Sequence, residues 1–289
     1  MFLLPIFFTK SSASGNNFLI INYLEQSMPS LDYATLAKDM TDSITGISSD
    51  GILLLVPSEL ADIKIIIYNQ DGSRAQTCGN GLLLLGHYLL EIDRFLGTTL
   101  TIETDTNVST LTRDNHEITV DLGLAHSLID PYQTILLDSH TNDYCGEVET
   151  SLGTWSADMI SMGNPHFIIY TDEDHDAFIS EIKRISKRYD VNVGIVTIIN
   201  QTELKLTTYE RGAGLTGACG TNAAAAVASA VARGMLKPYE SITVYAPGGE
   251  LMLTWNQDAH LLLDGRCTKI CCGTYFFDNE KKDQWVKSR

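Results

Sequence analysis

Positive charge is scarce in this chain. Lys and Arg number 20 against 36 Asp and Glu, a formal charge of −16. So acidic a protein is poorly suited to nucleic acid or to an anionic membrane surface. A small charged substrate stays open, because a pocket can oppose the global sign. The six cysteines, Cys78, Cys145, Cys219, Cys267, Cys271 and Cys272, form no Cys-x-x-Cys and have no zinc-site spacing. Cys267, Cys271 and Cys272 could be half of a metal site; more simply they are thiols buried on strands. No disulfide framework is evident, which suits a reducing cytosol. No apolar run reaches the length that crosses a bilayer. The apolar start, 1–8, lacks a basic leader and a small-residue cleavage site before Lys10, so a first strand is expected there. There is no Walker A pattern, and Gly-Asn-Gly after Cys78 is not Gly-x-Gly-x-x-Gly, so no nucleotide cofactor is expected.

Two stretches stand out: Cys78-Gly79-Asn80-Gly81 and Cys219-Gly220-Thr221-Asn222. Each runs straight into an apolar segment, 82–90 in one case and 223–231 in the other. A glycine-containing turn that opens a helix leaves backbone N–H groups without intrahelical partners. Such an end favours anions and eases ionisation of a thiol placed there. A single cysteine before an apolar helix is most often just a small buried hydrophobe. Two at matched positions make that bland reading weaker.

The intervening pattern also repeats. Tyr68 precedes Cys78, and Tyr209 precedes Cys219, by the same interval. Gly15-Asn16 opens an aromatic strand start early in the chain, and Gly163-Asn164 does so later. Helices are expected over 31–40 and 176–189, the second amphipathic. Strands are expected over 18–22, 52–56, 63–68, 100–103, 109–112, 118–122, 167–170, 192–200, 203–209, 241–246, 250–255, 260–263 and 267–277. The segment 11–17 reads as a polar loop. Such self-similarity is the mark of an internal duplication. The division expected is 1–122 and 123–264, with a strand in 265–278 that could return to the first part and a tail over 279–289.

Two thiols suggest a chemistry. One as thiolate removes a proton from a carbon, the other as thiol delivers one to the opposite face, and the centre inverts. The Cα proton of an amino acid is a weak acid, so its anion needs electrostatic support. Helix N-termini aimed at the α-carboxylate would supply it, and no cofactor is needed. Asn16, Asn69, Asn164 and Asn192 sit in loops or strand starts and could hold amines or carboxylates; singly, each is as well explained as a turn residue. Glu210-Arg211 suits a zwitterionic head, though a surface ion pair would look the same. His166 could orient a group beside a cysteine.

In combination these motifs resemble the diaminopimelate epimerase family. The segments that carry the resemblance are Ser14-Gly15-Asn16-Asn17-Phe18, Tyr68 through Cys78-Gly79-Asn80-Gly81, Met162-Gly163-Asn164-Pro165-His166, and Tyr209-Glu210-Arg211-Gly212 through Cys219-Gly220-Thr221. The resemblance runs from about Lys10 to near Gly234. It implies an α+β fold of two pseudo-symmetric domains, each a mostly antiparallel sheet around a central helix, with the active site in the interdomain cleft. It implies a cofactor-independent epimerase interconverting LL- and meso-diaminopimelate, in lysine and peptidoglycan precursor synthesis. Cys78 and Cys219 would be the acid/base pair. Gly79, Asn80, Gly220 and Thr221 would meet the α-carboxylate. Asn16, Asn69, Asn164, His166, Asn192, Glu210 and Arg211 would surround the remaining polar groups. The expected partner is the amino acid substrate, not nucleic acid or membrane, and pairing of two copies is left open. Three positions depart from the family's usual residues: Asn17 for an acid, Gly51 for a Gln, and Asn222 for a Gly. Loss of a side chain at Gly51 is expected to enlarge the pocket. An amino acid racemase of broader or different specificity on the same fold, for example acting on glutamate, is therefore the alternative.

Overall fold

The computed structural model describes residues 3–25, 28–75, 78–92, 94–130, 133–136, 145–151 and 153–278. The expected tail, 279–289, lies outside the described residues. The chain divides into two compact units, one of Met1–Leu111 with Cys267–Arg289, the other of Thr112–Arg266.

The first unit opens with β1 (Leu3–Ala13) and β2 (Asn16–Asn22), an antiparallel hairpin. The loop expected over 11–17 is tighter than its polarity suggests: Ser11 to Ala13 stay in the ladder. Only Ser14 (φ 48°) and Gly15 (φ 79°) make the turn. Two successive positive φ values give the turn whose twist matches a strand pair. Helix α1 (Tyr33–Thr41) follows, capped by Asp32, whose carboxylate accepts the Thr35 N–H at 3.3 Å. That cap starts the helix two residues later than the apolar spacing alone implies.

Next come β3 (Gly51–Val56), β4 (Ile63–Asn69), the short β5 (Arg74–Ala75), helix α2 (Gly79–Glu91) and β6 (Thr99–Glu103). Strand β3 lies parallel to β2 and antiparallel to β4, and every residue of it is buried. A strand buried on both faces reads as a continuous apolar run. Leu36, Ala37 and Met40 of α1 share a core with Ile52, Leu54 and Val56. The start of α2 lies over Leu53, on the alternate side of β3. Leu82 to Leu85 and Leu89 of α2 are essentially inaccessible, and each contributes about 1.5–3 kcal/mol by leaving water.

Strand β7 (Val108–Asp114) carries the chain into the second unit. There β8 (Glu117–Leu124), β9 (His126–Asp130), β10 (Gln133–Leu136), β11 (Cys145–Thr150), β12 (Gly153–Ser161) and β13 (Pro165–Tyr170) follow in order. Strands β9 to β11 carry no clear alternation and were not expected from the sequence. A 3-10 turn at His175–Phe178 leads into α3 (Ile179–Tyr189), then β14 (Asn192–Asn200), β15 (Glu203–Glu210), β16 (Gly214–Thr216) and α4 (Gly220–Ala232). Ile182 and Ile185 of α3 pack on Phe167, Ile169, Val193 and Ile195. The unit ends with β17 (Ser241–Ala246), β18 (Gly249–Trp255) and β19 (His260–Asp264), which pairs with β8. Ala223 to Ala226, Ala228 and Ala230 of α4 are fully buried. The small side chains let the surrounding strands approach the helix on all sides.

The last strand, β20 (Cys267–Asp278), pairs antiparallel with β1 in the first unit. Cys267 is half-buried, and Cys271 and Cys272 are exposed. The burial expected for the last two is wrong, because among the described residues β20 pairs only with β1 and most of its length faces solvent. Three-residue His/Cys/Asp/Glu clusters that could hold a metal are absent among the described residues. Among them, too, no helix is long and apolar enough to cross a membrane.

The two units follow one plan. In the first, β2 runs through α1 to the parallel β3, then the antiparallel β4, the short β5, helix α2, and β6 parallel to β4. In the second, β13 runs through α3 to the parallel β14, then the antiparallel β15, the short β16, helix α4, and β17 parallel to β15. The fold is α+β, and the duplication read from the sequence is a duplication of topology.

Candidate active site

Each unit places a cysteine at the N-cap of its central helix. Cys78 is extended (φ −152°, ψ 110°) and caps α2; its Sγ accepts the Gly81 N–H at 3.4 Å. Gly81 makes this approach possible. A Cβ there would lie 3.3 Å from Cys78 Cβ and 3.6 Å from its Sγ. Gly79 and Asn80 are buried in the first turn. Cys78 itself is half-buried.

Two asparagines flank this opening in the sequence pattern. Asn16 begins β2, and its side-chain oxygen is buried with no hydrogen-bond partner among the described residues. Asn69 ends β4, where its Nδ2 donates to Ser73 Oγ at 3.0 Å. Asn17 is occupied otherwise. Its N–H donates to Asp50 Oδ2 at 2.6 Å, its carbonyl accepts the Asp50 N–H at 2.8 Å, and its amide donates back to Gly15. The enlargement expected at Gly51 is not found. A Cβ there would lie 2.4 Å from the Tyr68 carbonyl oxygen and 2.9 Å from the Phe18 ring, so neighbouring atoms already fill that space.

In the second unit Cys219 (φ −129°, ψ 114°) is the N-cap of α4. It is buried, and its Sγ lies 3.5 Å from Thr221 Oγ1. Burial pushes the thiol well above its ordinary range, and the Glu210 carboxylate beside it adds to the rise; the Thr221 hydroxyl and Asn222 N–H offset part of it. Glu210, the last residue of β15, is also raised by burial, with Thr216 and Cys219 opposing. The Glu210 carboxylate disfavours a thiolate beside it, while the Cys219 thiol, as a hydrogen-bond partner, favours the carboxylate. Cys219 therefore holds its proton at neutral pH.

Asn192, at the start of β14, links the start of β13 to the turn after β15. Its Nδ2 donates to the Pro165 carbonyl at 3.2 Å, and its Oδ1 accepts the Arg211 N–H at 2.9 Å. Its amide thus braces the segment that carries Glu210 and Arg211. The Arg211 guanidinium is exposed and donates to Asp190 Oδ2 at 3.0 Å. An exposed pair of this kind is weak and readily exchanged for another carboxylate.

His166 is wholly buried, and its Nε2 lies 2.8 Å from Asn164 Oδ1. Burial lowers its pKa to about 3; the Asn222 side chain works against that shift and Arg211 adds to it. The ring is neutral at physiological pH. Gly220 and Thr221 form the first turn of α4 with Asn222, whose Nδ2 donates to the Val193 carbonyl at 3.2 Å and to Thr208 Oγ1 at 3.1 Å. Thr208 and Gly194 were not singled out by sequence reasoning. A glycine inside an otherwise apolar strand was the available signal.

Comparison with known proteins identifies the family of the chain. The family model described as diaminopimelate epimerase matches residues 8–128 and 159–270. A diaminopimelate epimerase of Bacillus pumilus is 33% identical over 280 residues, covering 93% of this chain and 98% of that protein. That of Bacillus cytotoxicus is 32% identical over 283 residues, covering 94% and 98%. Among solved structures, a hydroxyproline epimerase from Agrobacterium vitis superposes with TM-score 0.67 at 15% identity, covering 96% of this chain and 94% of that one. A probable proline racemase from Agrobacterium radiobacter gives TM-score 0.69 at 14% identity, with the same coverage. These two likenesses show a shared fold. With the family model matching most of its length, the chain belongs to the diaminopimelate epimerase family, isomerases that work without pyridoxal phosphate.

Proposed function

We propose that this protein interconverts LL- and meso-diaminopimelate by moving a proton at one α-carbon, with Cys78 and Cys219 as the two exchanging groups. One observation carries the reading: the same topology, used twice, ends each time in a cysteine capping a buried helix. Inversion requires a group that takes a proton on one face of the carbon and another that gives one on the opposite face.

On this reading Cys219, which holds its proton, is the donor in the resting protein, and Cys78, as the thiolate, takes the accepting role. The Cα–H bond breaks, its proton goes to Cys78, and its electron pair spreads into the carboxylate. The Cys219 S–H proton then forms the new bond. The thiols finish with exchanged protonation and return by proton exchange with solvent. Backbone N–H groups at Gly79, Asn80, Gly220 and Thr221 oppose the charge that develops on the carboxylate, as helix N-termini do.

The buried, unpartnered oxygen of Asn16 suits an ammonium N–H. Glu210 and Arg211 suit a zwitterionic head, with Arg211 released from Asp190. Asn69, Asn164 and His166 complete the polar surroundings, and Asn192 acts mainly by bracing Arg211. The role fits lysine and peptidoglycan precursor synthesis in the cytoplasm, with the amino acid as partner. Incubation with pure LL-diaminopimelate, followed by chiral chromatography, tests the reading. Appearance of the meso isomer, with glutamate turned over at least ~100-fold more slowly, is expected for a site that pairs both zwitterionic heads. Failure to convert diaminopimelate, or equal conversion of glutamate, would overturn it.

A further inference from the structure

The first turn of α4 is fastened by a side chain that the reaction scheme does not use. Asn222 is wholly buried at the third position of a helix made mostly of alanine and valine. Its Nδ2 donates both to the Val193 carbonyl in β14 and to the Thr208 hydroxyl in β15. Those contacts fall beside the functional strand ends. Val193 follows Asn192, which holds the Arg211 N–H, and Thr208 lies two residues before Glu210. The Asn222 side chain also lies against the His166 ring, whose Nε2 faces Asn164. Gly194 makes room for it: a Cβ at 194 would lie 2.8 Å from Asn222 Oδ1. Burying an amide is costly unless it is bonded; here Nδ2 makes two bonds and Gly194 leaves the room, while Oδ1 is buried with no hydrogen-bond partner among the described residues, so the side chain is retained for where its Nδ2 holds the helix.

The geometry points to Asn222 as a positioning residue. Resting on the two-thiol reading above, it locks the helix opening that carries Cys219, Gly220 and Thr221 to the strands that carry Asn192, Glu210 and Arg211. The helix opening must face the reacting carbon to within a fraction of an ångström for its N–H groups and sulfur to act together. Displacement of that order costs up to ~100-fold in rate.

The test uses Asn222→Ala and Thr208→Val in the full chain. The second is nearly isosteric and removes one acceptor. The expected result for Asn222→Ala is a ~10–100-fold lower kcat with KM within ~3-fold. Thr208→Val should shift kcat in the same direction by ~3–10-fold, as expected for one lost neutral hydrogen bond. The second readout needs no substrate. Alkylation of Cys219 by iodoacetamide, followed by peptide mass spectrometry well below the melting temperature, should quicken at least ~5-fold in Asn222→Ala while Cys78 is unchanged. Unchanged kcat together with unchanged Cys219 alkylation in both variants would overturn the proposal. So would a rate loss that only tracks a lowered melting temperature. If the parent protein does not convert diaminopimelate, the reaction reading fails, and Cys219 alkylation alone decides the role of Asn222.

Discussion

The openings of α2 and α4 share a backbone but not an environment. Both begin with a cysteine in an extended conformation, followed by a glycine and a run of buried apolar residues. At α2 the sulfur is half-buried and takes a backbone N–H. At α4 the sulfur is buried, lies beside a carboxylate, and keeps its proton. Duplication thus supplies two equivalent positions whose surroundings have diverged. On the proposed reaction, that asymmetry would give the two thiols opposite starting roles, one acceptor and one donor.

Removing either sulfur should have the largest effect. Cys78→Ala and Cys219→Ala should each lower the epimerisation rate by ~10³-fold or more, since general acid–base groups contribute roughly that much. Full activity in either variant, measured with purified isomers, would break the comparison. Changing the carboxylate should narrow the difference instead. In Glu210→Gln the Cys219 thiol loses the charge beside it, so its pKa should fall. At pH 8 its reaction with iodoacetamide should quicken by ~3–10-fold, with Cys78 unaffected. In the parent protein the Cys219 rate should still be climbing above the ordinary thiol range of ~8.5, because its folded pKa is raised. A plateau below that pH would contradict the assignment.

A smaller effect concerns stability. His166 is held at about 3 in the folded protein. The unfolded chain takes up its proton near the ordinary value of ~6.5. Between those two pH values the unfolded state binds a proton that the folded state refuses. Stability therefore falls as pH drops through that window, by about 1.4 kcal/mol per pH unit once well inside it, and this group adds no slope above ~6.5. Urea unfolding of a His166→Gln variant should show a shallower loss between pH 6.5 and 5 than the parent. Equal slopes would mean that His166 does not titrate in this way.

What could be read beforehand follows from the range of each interaction. The two helix openings are local signals, since a cysteine, a glycine and an apolar run are contiguous. Burial of β3 was equally visible, because a strand covered on both faces must be apolar throughout. Exposure of Cys271 and Cys272 could not be read locally. It depends on β20 finding β1, more than 250 residues away, and pairing with no other described strand. The bracing role of Asn192 and the filled space at Gly51 also depend on long-range neighbours, Arg211 and Pro165 in one case and Phe18 and Tyr68 in the other. Polarity alone misjudged Ser11 to Ala13, since a two-residue turn lets polar residues remain in a ladder.

Hydrogen-isotope tracing at the inverted carbon tests the two-sulfur account most directly. LL-diaminopimelate is converted in deuterium oxide and stopped at low conversion, and each isomer is then analysed by mass spectrometry. With separate accepting and donating thiols, the meso product should carry one deuterium at the new centre while the remaining LL isomer keeps its hydrogen. A product that retains the original hydrogen would mean that one group both removes and returns the proton, and would contradict the account.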